Sequence, residues 1–185
     1  MMTQFRSFFV LCLLISSASF AQDKYFTKTA RVNFYSNAAL EDFEAKNKTS
    51  VCVLDTKTGA LQFSTLIKGF EFENEEMQEH FNDHYLESHK FPKAEFKGTV
   101  VNNGSVGYKK PGSYPVQVKG QLTIHGITKD VVTNGVLKVD PKGITTTSTF
   151  NVQVADYGIK IPSLVKDKIA KVVKITVDAG LDPLK

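Results

Sequence analysis

The 185-residue chain contains no tryptophan, only two cysteines, and a formal charge of just +4 at neutral pH. Each shortage excludes something. Cys12 lies in the apolar N-terminal stretch, so Cys52 stands alone in the remainder and no internal disulfide can form there. Set in Val51-Cys52-Val53-Leu54, it reads as a packed, unreactive core thiol. The mild charge, with no basic run interleaved with aromatics, gives no sign of a nucleic-acid partner. After position 21 no apolar segment approaches the roughly 20 residues a membrane-crossing helix needs. The chain lacks a serine in a nucleophile elbow, a glycine-rich phosphate loop and a Cys-His cluster. No enzymatic activity, cofactor or metal is therefore expected.

What is present begins with an export signal. Arg6 supplies the positive start, Phe8 to Ile15 a short apolar run, and Ser19-Phe20-Ala21 small residues at the two positions a signal peptidase reads. Cys12 does not make a lipoprotein site, because Leu11 before it is bulky. Cleavage after Ala21 is expected, leaving residues 22–185 as a single domain in the periplasm or outside the cell.

That domain reads as strands. From Lys24 to Ser36, Phe26, Ala30, Val32 and Phe34 fall on one face, and Tyr25, Thr27, Arg31 and Asn33 on the other. A second strand runs from about Phe43 to Leu54, interrupted by the polar Asn47-Lys48-Thr49. After the turn Asp55 to Gly59, Leu61, Phe63, Thr65 and Ile67 alternate with polar residues. Further alternating runs cover Lys93–Val101, Tyr114–Ile124, Thr128–Val139, Ile144–Ala155 and Lys171–Leu181. Tyr108 to Gly112 reads as a polar loop. Asp156 to Lys168 is irregular and is expected to fold over an end of the domain.

One helix interrupts this pattern. In Glu73 to Phe96, Asn74 can cap, Glu75 and Glu76 place negative charge in the first turn, and Met77, Phe81 and Tyr85 form an apolar stripe expected to be buried. Ser88 to Pro92 end it. About eight strands joined mostly by hairpins, without a repeated strand-helix alternation, exclude a parallel α/β sheet. They predict a mainly β fold: an antiparallel eight-stranded barrel with one inserted amphipathic helix, a β-sandwich being the structural alternative. A membrane barrel would also alternate. Against it stand the missing tryptophan, an Asp-Pro-Leu-Lys end without an aromatic residue, and lysines on many strands.

Two blocks carry a resemblance. HFNDHYLESHKFPKAEFKG, His80 to Gly98, resembles the segment of the YceI-like family in which a helix runs into "fP.a.F". KGQLTIHGITKDV, Lys119 to Val131, resembles that family's "G.L.l.G.tk.v" block, in the right order and at a fitting separation. The resemblance implies a lipocalin-like barrel that holds a long isoprenoid chain in an apolar tunnel. It implies an exported, non-enzymatic binder or carrier whose partner is an isoprenoid quinone, a polyprenyl carrier or another long-chain lipid. The alternation selects Phe34, Phe63, Ile67, Phe96, Val118, Leu122, Leu137 and Phe150 as tunnel lining, with Met77 and Phe81 closing one end from the helix. Ten phenylalanines follow Ala21, a number that suits a filled core as well as a hollow one. The alternative function is an envelope interaction or structural module with a packed core, and monomer and homodimer stay open.

Four polar readings complete the pattern. His80 and His84, four apart on the helix, have metal-ligand spacing that His89 or Glu76 could extend, but they read as surface or rim histidines. His125 suits a tight turn before Gly126, the other reading being a contact to a ligand head group at the tunnel mouth. Arg31, Lys119 and Lys129 could neutralise a phosphate, and each also reads as an ordinary solvated strand cation. A hydrolase is disfavoured, since nothing is placed beside a histidine to act as nucleophile.

Overall fold

The alternating segments fold as strands, and the strands close on themselves. The computed structural model describes residues 23–184, so the expected export signal, Met1 to Ala21, lies outside the described residues. The strands are β1 (Lys24–Asn37), β2 (Asp42–Asp55), β3 (Ala60–Leu66), β4 (Glu71–Phe72), β5 (Lys93–Val100), β6 (Gly112–Ile124), β7 (Ile127–Asp140), β8 (Gly143–Gln153) and β9 (Val172–Pro183). Neighbours run β1-β9-β8-β7-β6-β5-β3-β2, and β2 pairs again with β1. Every pairing is antiparallel. The result is a closed eight-stranded barrel and not a sandwich, with no open sheet edge around its wall. The two-residue β4 extends β2 beyond β3 through Ala45↔Phe72 and Lys46↔Glu71.

One end is sealed by side chains. Leu54, Val100, Val116, Leu137, Val139, Ile144 and Leu181 form one buried cluster, with Tyr25, Tyr108 and Tyr114 packed against it. The loop after β5 supplies the plug: Val106 is buried, and within the expected loop Tyr108 to Gly112 the Tyr108 side chain turns inward, its hydroxyl donating to Asn103 Oδ1 at 2.7 Å. Asn103 in turn donates to the Thr56 carbonyl at 2.9 Å, tying this loop to the β2–β3 hairpin.

Three local readings need correction. In β1 the pairing register shifts between Thr27 and Ala30, a bulge that reverses which side chains point inward. Thr27 is therefore buried and Tyr25 packs on the core, while Phe26 turns outward with Lys28 Nζ 5.8 Å from its ring centre. In β2, Asn47-Lys48-Thr49 does not interrupt the strand. Asn47 is fully buried: its amide donates to the Leu66 carbonyl at 2.9 Å, and its Oδ1 accepts from the Thr49 N–H at 2.8 Å and the Ser50 hydroxyl at 3.3 Å. A polar side chain thus bridges the gap where β3 leaves β2 and β4 has not yet joined.

The helix is also shorter than expected. α1 spans Glu75–His80, capped by Asn74, whose Oδ1 accepts from the Met77 N–H at 3.0 Å. From Phe81 to Tyr85 the coil widens to a π-helical turn, closed by the Leu86 N–H on the Phe81 carbonyl at 2.9 Å. Met77, Phe81 and Tyr85 are accordingly half-buried, not buried, and the buried side chains of this excursion are Leu86 and Ser88.

Candidate functional site

Above the sealed end the barrel is hollow. A cavity of about 540 Å³ runs from Leu54, Val116 and Leu181 to a mouth between α1 and the β8–β9 crossover. This lies within the ~300–1,000 Å³ of small-molecule sites. The eight residues selected by strand alternation, Phe34, Phe63, Ile67, Phe96, Val118, Leu122, Leu137 and Phe150, line it, and so do Met77 and Phe81 from the helical excursion.

The space comes from small residues at inward positions. Gly98 of β5 faces Gly120 of β6 directly. A Cβ added to either would meet Phe96 Cζ, at 2.5 Å and 2.7 Å respectively, so the Phe96 ring lies across both glycines, against the wall and out of the lumen. Gly135, Thr133, Thr146 and Ser148 line the adjoining wall. The hydroxyls of Thr133 and Ser148 lie 3.1 Å apart, and Ser148 donates to the Asn134 carbonyl at 2.8 Å, so these groups are satisfied within the wall.

The phenylalanines gather at the mouth. Phe34 meets Phe43, Phe70, Phe72 and Phe81 with ring centres 5.4–6.0 Å apart, stacked on Phe81 and edge-on to the others. Phe81 approaches Phe72 at 4.9 Å, so the π-helical turn is fastened to β1 and β4 by aromatic contacts. The opposite lip comes from the crossover: Ile159, Ile161, Val165 and Ile169 line the cavity, as the irregular Asp156–Lys168 segment was expected to do by folding over an end. Of the polar lining groups, Glu41, Asn74, Glu76, His80 and Lys168 stand on the helix and the two loops of this mouth, and Glu95 on β5. Lys168 Nζ lies 3.8 Å from Glu41 Oε2.

Chemically reactive groups are few. Cys52 is buried and lines the cavity, and burial pushes its thiol up to about 12, far from the thiolate range in which cysteine attacks. His80 and His84 have ring centres 5.5 Å apart, and among the described residues no group of three or more His, Cys, Asp or Glu side chains comes together. Arg31, Lys119 and Lys129 are exposed on the barrel's outer wall and are absent from the cavity lining, so they do not face a ligand there.

His125 does not line the cavity either. It occupies the two-residue β6–β7 turn with φ 50°, beside Gly126 at 73°. Its Nδ1 lies 3.1 Å from the Tyr157 carbonyl and its Nε2 3.0 Å from Glu87 Oε2, while Phe91 packs edge-on at 4.6 Å. One imidazole therefore joins three segments around the mouth: the end of the helical excursion, the β6–β7 hairpin and the β8–β9 crossover. No sequence signal announced this, because Glu87 and His125 are 38 positions apart.

Comparison with known proteins places the architecture. A family model described as YceI-like domain matches residues 16–181. None of the curated proteins matches the sequence. Among solved structures, a polyisoprenoid binding domain from Saccharophagus degradans superposes with a TM-score of 0.77 at 15% identity, over 88% of this chain and 99% of that one. BcnA of Burkholderia cenocepacia gives 0.67 at 16% identity over 82% and 94%. The YCEI protein of Campylobacter jejuni gives 0.51 at 18% identity over 97% and 98%. At such identities the likeness is one of fold. Among the described residues, no helix is long and apolar enough to cross a membrane.

Proposed function

The chain belongs to the YceI-like family, and we propose that it is an exported, non-enzymatic binder and carrier of a long apolar lipid held inside the barrel. The ligand class is an isoprenoid chain of quinone or polyprenyl type. One observation carries this reading: the closed barrel keeps an apolar cavity of about 540 Å³ open to one end. The polyisoprenoid binding domain of Saccharophagus degradans, which shares the fold, supports the choice of ligand.

The mechanism is burial. Each CH₂ removed from water contributes about 0.8 kcal/mol, so several isoprene units are held without specific polar contacts. An apolar cavity of this kind stays dry, and its lining lacks partner atoms until a chain enters. Binding therefore stabilises the fold, and ligand should survive purification.

The test is solvent extraction of natively purified protein followed by mass spectrometry, with Val118→Phe and Leu122→Trp in parallel. The expected result is one long isoprenoid or acyl species near one per chain, reduced in those variants that stay folded. Recovery of no lipid from the wild type would replace the carrier with the alternative, an envelope interaction module.

A further inference from the structure

The two lips of the cavity mouth differ in chemistry. On the helical lip, Glu73, Glu75, Glu76, Glu79 and Asp83 are all exposed, and the stripe Met77, Phe81 and Tyr85 turns inward. The crossover lip is the opposite. Leu164 is 93% exposed and Leu40, on the β1–β2 turn, 73%, the two most exposed large apolar side chains among the described residues. They share one rim: the Leu40 N–H donates to the Asp167 carbonyl at 2.9 Å, and Glu41 pairs with Lys168.

Four exposed lysines stand in the same segment, Lys160, Lys166, Lys168 and Lys171, against the two carboxylates Asp156 and Asp167. Next to Leu164 in the chain, Val165 already lines the cavity. An apolar path thus leads from the outermost side chain of the rim into the lumen, with ammonium groups on either side. Leucine inserts among acyl chains, and lysines with long apolar stems keep their charge at the head-group level. An anionic bilayer attracts such lysines within a Debye length.

We infer that the crossover lip, centred on Leu164 and flanked by Lys160, Lys166 and Lys171, docks on an anionic lipid bilayer and turns the cavity mouth toward it. The acidic helical lip is repelled by the same surface and sets the tilt, so the chain meets the bilayer on one side of the mouth. This docking rests on the chemistry of the rim, not on which lipid fills the barrel.

The experiment uses the full chain and vesicles of phosphatidylcholine, alone or with 30% phosphatidylglycerol, in co-sedimentation. The absence of tryptophan makes Leu164→Trp a single-fluorophore reporter. Expected are binding to the phosphatidylglycerol vesicles, loss at high salt, and a blue shift of Trp emission on binding. Leu164→Ser with Leu40→Ser should weaken binding at least tenfold, and so should Lys160→Glu with Lys166→Glu. Val132→Ser with Val136→Ser, on the exposed outer face of β7, should not. Equal binding to both vesicle types, an unshifted emission, or an equal loss in the β7 variant would overturn the assignment. No vesicle binding at all would also overturn it and leave the lip as a surface for a protein. Because Leu122→Trp narrows the lumen without touching the rim, its vesicle binding separates failure of docking from failure of the carrier reading.

Discussion

His125 and Glu87, the only two non-glycine residues with positive φ among the described residues, at 50° and 41°, are bonded to each other. Such backbone costs of order 1–3 kcal/mol per residue and persists where surrounding contacts hold it. Here the contact is the bond itself. The other ring nitrogen lies 3.1 Å from the Tyr157 carbonyl, so the ring is held on both sides. Three mouth segments are pinned by one charge-assisted pair.

This pairing has a pH signature. Lys90, first, and His125, second, hold the Glu87 carboxyl below its ordinary value of 4.5. A carboxylate lowered in the folded state adds stability that is fully present above the ordinary value and is lost as pH falls through the lowered one. Glu87→Gln should therefore melt at a lower temperature than wild type at pH 6, and the difference should shrink toward zero near pH 3. A gap between the two melting curves that stays constant with pH would show that Glu87 acts through packing alone.

The phenylalanine cluster predicts an order of costs. Phe34 is only 8% exposed and touches four other rings, whereas Phe81 is half-buried at the mouth. Phe34→Ala should lower stability by about 3–5 kcal/mol, the range for a core phenylalanine, and Phe81→Ala by about half that. Urea denaturation midpoints decide it, and the reverse order would mean that the helical excursion, not β1, anchors the cluster.

Asn47 should behave as a core residue although it looks like a loop residue. Asn47→Ala removes the donor to the Leu66 carbonyl and leaves the Thr49 N–H without its acceptor, at about 2–4 kcal/mol, while the Ser50 hydroxyl keeps Thr65 Oγ1 at 2.8 Å. Neighbouring Lys48 makes an exposed pair with Glu71, so Lys48→Ala should cost under about 1 kcal/mol. Similar midpoints for the two variants would show that the buried network contributes nothing to the fold.

These residues also mark how far the sequence could be read. Alternation placed eight side chains on the cavity wall because a closed barrel turns a period of two into inside and outside. The cap at Asn74 and the turn at His125-Gly126 were legible because both are local. The bulge after Thr27 was not, since one extra residue leaves both faces plausible. Asn47-Lys48-Thr49 read as an interruption because the partners that bury this network, Leu66 for Asn47 and Thr65 for Ser50, lie on β3, 19 and 15 positions further along the chain. Whether the barrel is hollow was written in Gly98, Gly120 and Gly135, but their meaning depends on register. Only the pairing Gly98↔Gly120 shows that Phe96 has a shelf to lie on.

The hollow itself gives the sharpest expectation. Thr146 of β8 lines the cavity between buried Leu137 and Ala179, its cross-strand partners. In a filled core, Thr146→Leu would overpack and lower stability by about 1–3 kcal/mol. In an empty lumen the added methyl groups enter unoccupied apolar space and raise stability by about 1 kcal/mol. In a loaded lumen the same side chain competes with the ligand, and the stabilisation that bound lipid supplies by mass action is diminished. Thr146→Leu should therefore melt above wild type when both are delipidated. As purified, it should show less extracted lipid and a smaller gap between loaded and stripped melting temperatures. Thr133→Val, close to isosteric, should alter the lipid content little. If Thr146→Leu is destabilised in the delipidated form, the lumen is already full of side chains when the ligand is gone, and entry requires the wall to repack rather than a preformed cavity to fill.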